Sequence, residues 1–274
     1  MRAIPASMDE SAVAGIDARL SGIASEHAVA IPLAIESGSR AWGFPSPDSD
    51  YDCRFFFVRR AESYLSLWPR PDVIETPLEG DLDVNGWDLR KALQLLVKGN
   101  ATVIEWLTSP IVYRGVPAFR SELLALAHDI ADRNLVARHY LHLGERQRRA
   151  YFSDGRQVPL KKIFYALRPA AALRWLRLHP EQAVAPMHFP TLMEECEPPQ
   201  EVASIVEALM ARKAVTRELG SEPLPIAVTA FIDGEFAGAG EAFAGTEKGD
   251  AHEKRSRADA FFLGALRLYA PERA

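Results

Sequence analysis

Residues 38–52 read GSRAWGFPSPDSDYD, and this stretch decides which fold the rest of the chain can adopt. It opens on a Gly38-Ser39 turn and closes on Asp50-Tyr51-Asp52, where the apolar run 53–58 begins. Side chains alternate between the faces of a strand, so Asp50 and Asp52 are expected to point the same way. Two parallel carboxylates favour a hard divalent cation such as Mg²⁺. The Gly-Ser turn can present backbone N–H groups and a hydroxyl to phosphate oxygens.

A phosphate-binding turn and a metal-binding carboxylate pair are together the minimal equipment for nucleotidyl transfer. Such chemistry uses two ions, Mg²⁺ or Mn²⁺, and needs a third acid from a neighbouring strand. Asp83 and Asp88 both qualify, on or just after the predicted strand 82–87. We favour Asp88 because it ends the strand where a helix begins, although the same position suits a helix N-cap. Asp83 stays open as the other candidate.

The bulk composition is that of an ordinary folded protein. The 274 residues are enough for two modest domains or one large one. Hydrophobic and charged fractions of 48% and 25% are typical of a soluble globular protein. No apolar run reaches the ~18 residues that a membrane helix needs, and the N-terminus lacks the layout of a secretion signal. The two cysteines show no ligand spacing, so we expect a cytoplasmic protein without a disulfide framework or zinc site.

Charge is spread unevenly along the chain. The net charge is −5, but the segment 133–177 holds eleven Lys or Arg residues and two acids. That segment carries +9, which leaves about −14 for the rest. A basic block in an acidic chain favours a local anion site, and RNA is one such anion. The same charges would also suit a solvated helix face.

Hydrophobic periodicity predicts an α+β fold with a small mixed sheet over residues 1–115 and a mainly helical domain over 116–274. In the first domain the pattern predicts helix 8–26, strands 27–35, 51–59, 72–76 and 82–87, and helices 89–98 and 101–107. In the second it predicts helices 118–132, 135–153, 159–177, 191–195 and 200–219, a short strand 226–231 followed by a Gly/Ala-rich loop, a loose segment 241–254 and a closing helix 256–268.

The motif at 38–52 resembles the active-site motif of the DNA polymerase beta nucleotidyltransferase superfamily. Five later segments, in order, resemble one branch of it, the RlaP family of predicted nucleotidyltransferases associated with RNA repair. They are DVIE (72–75), NGWDLRKALQLL (85–96), KGN (98–100), EWLTSPIVY (105–113) and KKIFYALRPAAALRWL (161–176). The resemblance covers about residues 30 to 180 and implies a polymerase-beta-like catalytic domain followed by helices.

The resemblance also implies roles for the residues of the motif. Gly38 and Ser39 would bind the triphosphate, and Asp50 and Asp52 would ligate metal. Asp88 falls in the family's Trp-Asp-Leu-Arg-Lys position and is a candidate for the third acid.

Further residues are candidates for nucleotide binding. Lys162, Tyr165 and Arg168 lie at i, i+3 and i+6 on a predicted helix, where similar enzymes offer basic and aromatic side chains to the nucleotide. They would equally suit a helix face that packs or is solvated. Arg40 follows the Gly-Ser turn and could reach a phosphate bidentately, or form a surface salt bridge.

The sequence therefore predicts an enzyme that moves a nucleoside monophosphate from an NTP to an acceptor hydroxyl and releases pyrophosphate. An RNA end is the acceptor that the family association favours. Nucleotidylation of a protein or small molecule stays open, and so does a catalytically silent module that binds nucleotide or RNA. The base of the NTP and the oligomeric state stay open as well.

Overall fold

The computed structural model describes residues 1–152, 158–217, 220–245 and 250–272 and has an α+β fold. Its first part contains α1 (Glu10–Glu26), β1 (Ala30–Glu36), α2 (Gly38–Trp42), β2 (Tyr51–Val58), a 3-10 helix (Ala61–Leu65), β3 (Val73–Glu75), β4 (Leu82–Asp88), α3 (Leu89–Val97), α4 (Ala101–Thr108) and β5 (Val112–Gly115). The second contains α5 (Pro117–Ile130), α6 (Arg133–Tyr151), β6 (Val158–Pro159), α7 (Leu160–Leu178), α8 (Phe189–Glu195), α9 (Gln200–Val215), β7 (Ser221–Glu222), α10 (Ile226–Ala242) and α11 (Ala251–Tyr269).

Five strands form one mixed sheet in the order β3-β4-β2-β1-β5. β1 pairs antiparallel with both β2 and β5, and β3 pairs antiparallel with β4. β2 and β4 are parallel, with Asp52 opposite Asp83 and Phe57 opposite Asp88. Because parallel strands begin at the same edge of a sheet, the first residues of β2 and β4 meet at one edge and their last residues meet at the other.

The three phenylalanines of β2 supply both faces of the sheet. Phe55 and Phe57 pack in the cluster that α1 covers, whereas Phe56 and Val58 pack in the larger core shared with the later helices. All four side chains are fully buried. This alternation is what a strand buried on both faces requires. It also fixes the register of β2 and hence the position of the acids at its start.

In the second part, α7 packs against α6, α8 and α10. A buried acid holds α10 in place, since Glu235 lies 3.0 Å from Arg174 Nη1 and 2.6 Å from Arg177 Nη2. Gly144 of α6 lies directly against the ring of Phe236, where a larger side chain would overlap it. The contacts of α7 therefore fix the helices that surround it.

The predicted strand 226–231 and the loop after it are wrong, because both lie in α10. The β-branched residues of this stretch favour a strand locally, and three glycines further weaken the helix pattern. The buried positions nevertheless recur at helical spacing, at Val228, Phe231, Ile232, Glu235, Phe236 and Ala239. Burial of this face against α7 outweighs the weak local preference for a strand.

The other differences concern element ends and short elements. The predicted helix 200–219 ends earlier, at Val215, and the predicted loose segment 241–254 includes the start of α11. The sequence pattern missed α2 and β5, which are five and four residues long. Some predicted positions lie outside the described residues, namely 153, 218–219 and 246–249.

The change from sheet to helix falls where the sequence predicts it, since β5 ends at Gly115 and α5 begins at Pro117. The larger core nevertheless contains residues from both sides of that point, such as Phe56 and Phe164. The division into two domains stays a prediction. Within the described ranges, every helix is too short or too polar to cross a membrane.

Candidate active site

A cleft of about 450 Å³ opens at the edge of the sheet where β2 begins. Its walls come from α2 and the loop that follows it, from α7 and from α9. The structure brings to this cleft six of the nine residues predicted from the sequence, namely Gly38, Ser39, Asp50, Asp52, Lys162 and Tyr165.

Gly38 lies directly against the carboxylate of Asp52. Its φ of 60° is in the left-handed region that glycine adopts at little cost. A methyl group on its Cα would overlap Asp52 Oδ2. The N–H of Ser37 donates to the carbonyl of Asp52 at 2.8 Å, which ties the turn to β2. The position of the carboxylate therefore requires glycine at position 38.

Four serines line the cleft at and beside this turn, and the hydroxyls of three of them are linked through Ser49. Ser39 Oγ donates to Ser49 Oγ at 2.9 Å, and Ser46 Oγ lies 3.0 Å from the same oxygen. The backbone N–H of Ser46 also donates to Ser49 Oγ at 2.9 Å. These bonds hold the loop after α2 against the turn, and they leave a set of hydroxyls that can bond to phosphate oxygens.

Arg54 joins the carboxylates of Asp52 and Asp83 on neighbouring strands. Its Nη2 donates to Asp52 Oδ1 at 3.1 Å and to Asp83 Oδ2 at 2.6 Å. Burial raises the pKa of Asp52, the charge of Arg54 lowers it, and the charges of Asp83 and Asp50 raise it further. Three carboxylates thus share one region, and the Arg54 guanidinium offsets part of their repulsion.

Asp88, the favoured third acid, does not join this group, and the prediction requires correction. The parallel register sets Asp88 opposite Phe57, five residues beyond Asp83 and hence about 16 Å along the strand. Its buried carboxylate accepts from the N–H of Arg90 at 2.9 Å and from the hydroxyl of Tyr64 at 3.1 Å. Asp88 therefore caps α3, and Asp83 takes the place beside the motif carboxylates.

The ligand chemistry of this region suits a hard divalent cation, which prefers carboxylate and hydroxyl oxygens. Asp50 and Asp52 line the cleft with Ser39, and Gly38 leaves the Asp52 carboxylate open to it. Within the described ranges, no three His, Cys, Asp or Glu side chains lie together in a way that could hold a metal ion. The residues fit a divalent cation by ligand type, and Arg54 supplies the positive charge between two of them.

Glu36 is a buried acid directly behind Asp52 that the sequence analysis did not single out. Its Oε1 accepts from the N–H of Asp52 at 2.9 Å, and its Oε2 accepts from the hydroxyl of Tyr113. Burial raises the pKa of Glu36 to about 8, against the lowering effects of these two hydrogen bonds and of the Arg40 charge. Glu36 therefore positions the backbone of Asp52 from the end of β1. The signal in the sequence is an acid that ends an apolar run immediately before the Gly-Ser turn.

We expect the free energy of unfolding of the native protein to fall as pH rises from about 4.5 to about 8. The variant Glu36→Gln should lack the part of this fall that Glu36 causes. Folded Glu36 keeps its proton up to its raised pKa of about 8, whereas an ordinary glutamate loses it near 4.5. Unfolding therefore releases a proton between these values, and the free energy of unfolding falls with rising pH. Urea unfolding of metal-free protein at both ends of this range measures the effect, which is on the order of a few kcal/mol. The same fall in both proteins would mean that Glu36 is ionised in the fold.

Arg40 does not line the cleft. Its guanidinium lies 3.8 Å from the centre of the Tyr51 ring, and it donates to the carbonyls of Asp50 at 3.1 Å and Ser49 at 2.6 Å. Arg40 thus has structural contacts here, and its contact with phosphate stays a prediction. Arg40 holds the loop that leads into β2 and so sets the position of Asp50.

Lys162 and Tyr165 are brought to the cleft from α7. Lys162 Nζ lies 4.9 Å from the ring centre of Tyr165 and 4.9 Å from that of Tyr151. The partly exposed ring of Tyr165 meets Trp42 edge-on, with the ring centres 6.1 Å apart. A cation and an aromatic ring thus stand together on the helical wall of the cleft.

Arg168 was predicted to contact the nucleotide, but its side chain points away from the cleft. It is buried, and its Nη2 donates to Glu105 Oε1 at 2.5 Å. Its guanidinium lies 4.0 Å from the Trp42 ring centre. Six residues turn a helix by about 600°, so Arg168 lies about 120° around α7 from Lys162. It supports the wall of the cleft from behind.

Lys213 of α9 completes the cleft, together with Trp42 and Phe44. Lys213 is buried, and its Nζ donates to the carbonyl of Phe44 at 2.6 Å and lies 5.2 Å from the Phe44 ring centre. No local pattern indicated this residue, because its place in the cleft depends on how α9 packs against the loop after α2.

The basic segment 133–177 is not one free surface. Five of its described arginines are used inside the helical part, namely Arg133 with the carbonyl of Leu176, Arg148 with Asp233, Arg168 with Glu105, and Arg174 and Arg177 with Glu235. Arg149 lies 4.0 Å from Glu145. The cation of this segment that reaches the cleft among the described side chains is Lys162. The segment therefore does not present all of its positive charge to a ligand.

Comparisons with known proteins agree with the motif. Residues 13–264 match the family described as RlaP, the RNA repair pathway DNA polymerase beta family. An uncharacterized protein of Bacillus subtilis (strain 168), YcgL, is 39% identical over 217 residues, which are 79% of this chain and 82% of that protein. A nucleotidyltransferase-like protein of known structure from Exiguobacterium sibiricum 255-15 is 14% identical, with 93% of this chain and 80% of that chain covered and a TM-score of 0.29. This chain belongs to the RlaP family, a branch of the polymerase beta type of nucleotidyltransferases.

Proposed function

We propose that this protein is a metal-dependent nucleotidyltransferase that moves a nucleoside monophosphate from an NTP to an acceptor hydroxyl. The observation that carries the proposal is the place of Asp52 at the start of β2, where Gly38 lies against its carboxylate, Asp50 lines the same cleft and Asp83 lies opposite on β4. Asp50 and Asp52 come from the start of β2, and Asp83 comes from the start of β4. A group of acids beside a turn that can bind phosphate is the arrangement that two-ion transfer needs.

The remaining cleft residues have roles in binding the NTP. Gly38 and Ser39 bind phosphate oxygens through backbone N–H groups and a hydroxyl. Lys162 and Lys213 face them from α7 and α9 and offset the charge of the triphosphate. The partly exposed ring of Tyr165 stacks on the base.

The reaction is an in-line displacement at the α-phosphorus. The acceptor oxygen forms the new bond, the bond to the bridging oxygen breaks, pyrophosphate leaves, and the proton of the hydroxyl passes to water. Asp50, Asp52 and Asp83 would hold Mg²⁺ or Mn²⁺, which when bound neutralises phosphate charge and lowers the pKa of the attacking hydroxyl. Glu36 holds the backbone of Asp52 during this step.

An RNA end is the acceptor that we propose, supported by the family description. A hydroxyl of a protein or small molecule is the second candidate, since the net charge is −5 and five of the eleven cations in the basic segment form ion pairs among the described residues. Binding of RNA through phosphate contacts weakens steeply with salt, whereas binding of an uncharged acceptor does not. The salt dependence of binding therefore separates the two.

Transfer of label from each α-³²P NTP tests the function. The native protein and Asp50→Ala/Asp52→Ala are each incubated with Mg²⁺ or Mn²⁺ and an RNA pool, and label is followed on RNA and on protein. Label on RNA that disappears in the variant supports the proposal with its first acceptor. Label on protein supports transfer to the second candidate acceptor, a protein hydroxyl. Label that persists in the variant would rule out the proposed carboxylates.

A further inference from the structure

A second cavity, of about 500 Å³, lies between α3 and α11 and shares no lining residue with the cleft. We call it the α3–α11 groove. Leu93, Val97 and Phe262 give it an apolar floor. The charged residues around this floor are Arg90, Lys98, Arg255 and Asp259, three cations and one acid.

Tyr64 contacts two residues that line the groove, Phe262 and Arg90. Its hydroxyl donates to Asp88 Oδ1 at 3.1 Å, which anchors the ring to the end of β4. The ring of Phe262 meets the Tyr64 ring edge-on at 5.0 Å, and the guanidinium of Arg90 lies 5.3 Å from the centre of the same ring. Asp88 therefore fixes the Tyr64 ring, and that ring in turn positions Phe262 and Arg90 of the groove.

The other polar side chains of the groove lack a side-chain partner among the described residues. Gln94, Lys98, Arg255 and Asp259 make no side-chain hydrogen bond or ion pair with any other residue that the structure describes. In contrast, Lys254 and Arg257 of the same helix pair with Asp132 and Asp129. Lys98 and Arg255 are thus exposed cations of the groove that are available to a ligand.

We infer that the α3–α11 groove is a second binding site, and that its ligand is a nucleoside phosphate. Phosphate oxygens suit the three cations, and a flat base suits the Phe262 ring. Asp259 and Gln94 can pair with the N–H and carbonyl groups of a base. A volume of about 500 Å³ lies within the range of about 300–1,000 Å³ that small-ligand sites occupy.

The groove is separate from the proposed catalytic centre. Arg90 follows Asp88, at the end of β4 opposite to the edge where Asp83 meets Asp52, and five residues of strand span about 16 Å. A small ligand in the groove therefore does not reach the carboxylates. It binds as an effector, and its binding does not depend on the proposed transfer reaction.

Photo-crosslinking of the full chain with 8-azido-ATP in EDTA, with the labelled peptides mapped by mass spectrometry, tests the inference. Label is expected on peptides from residues 90–98 or 255–262, and excess AMP should displace it. Lys98→Glu/Arg255→Glu reverses two exposed charges and should reduce this label about tenfold or more. Arg267→Glu makes the same change at an exposed position of α11 outside the groove and should leave the label unchanged.

Three outcomes would overturn the inference. Label confined to peptides of α2, α7 or α9 would assign the nucleotide to the cleft. Absence of label from the folded native protein would show that the groove does not bind a nucleoside phosphate. Displacement by an RNA oligomer but not by AMP would assign the groove to a polynucleotide. Because the measurement is the position of the label, a protein without transferase activity gives the same readout.

Discussion

Asp83→Asn is expected to reduce nucleotidyl transfer by about 10³-fold, whereas Asp88→Asn should keep the rate within about threefold of the native value. Asp83 lies opposite Asp52 and shares Arg54 with it, and in the proposed reaction its charge helps to hold the metal ions. Loss of that charge raises the barrier by about 4 kcal/mol. Asp88 lies at the other end of the strand and acts as the cap of α3.

The matched pair separates a catalytic role from a structural one. Initial rates of label transfer give the first readout, and urea unfolding gives the second. Asp88→Asn should lower the free energy of unfolding by about 1–2 kcal/mol, because Tyr64 and Arg59 lose a charged partner while the amide still caps the helix. An active Asp83→Asn protein beside an inactive Asp88→Asn protein would return the role of third acid to Asp88.

Arg168→Met is expected to destabilise the fold by about 3–5 kcal/mol, because it leaves Glu105 buried without its cation. The side chains of Arg168 and Glu105 are only 7% and 10% exposed, and their atoms lie 2.5 Å apart. Tyr140 also contacts Glu105, at 3.2 Å, so the pair joins α4, α6 and α7. The midpoint and slope of urea unfolding measure the loss.

A second change should recover much of this stability. In Arg168→Met/Glu105→Gln the buried charge is gone and the amide can still accept from Tyr140, so about 2 kcal/mol or more should return. Arg146→Met, at an exposed position of α6, is the control and should change stability by less than about 0.5 kcal/mol. A stable Arg168→Met protein with a raised KM for nucleotide would instead mean that Arg168 contacts the substrate.

The elements near the motif could be predicted because each carries its own pattern. The buried residues of α1 recur at helical spacing, and β2 alternates its phenylalanines between two cores. Asp88 marks the start of α3 as an N-cap, and its side chain accepts from the first turn. The prediction of a strand at 226–231 was wrong because the local preference of this stretch is weak. Its helix is buried against α7, whose residues are far away in the chain.

Some residues of the cleft are placed by local sequence, and others are placed by contacts between distant parts of the chain. Gly38, Ser39, Asp50 and Asp52 are close in sequence, and the turn with its following strand brings them together. The choice between Asp83 and Asp88 depends on the register of two parallel strands, which no local pattern contains. The position of Lys213 depends on how α9 packs across the cleft.

The sequence by itself determined the family, the motif of phosphate-binding turn and paired acids, and most of the helices and strands. These rest on spacing over a few residues, where backbone geometry dictates which side chains share a face. Only the tertiary structure decided that Asp83 lies beside Asp52, that Arg168 is buried behind Trp42, and that five of the eleven cations in the basic segment form ion pairs among the described residues. Those outcomes depend on strand register and helix packing, which arise from contacts between residues distant in the chain.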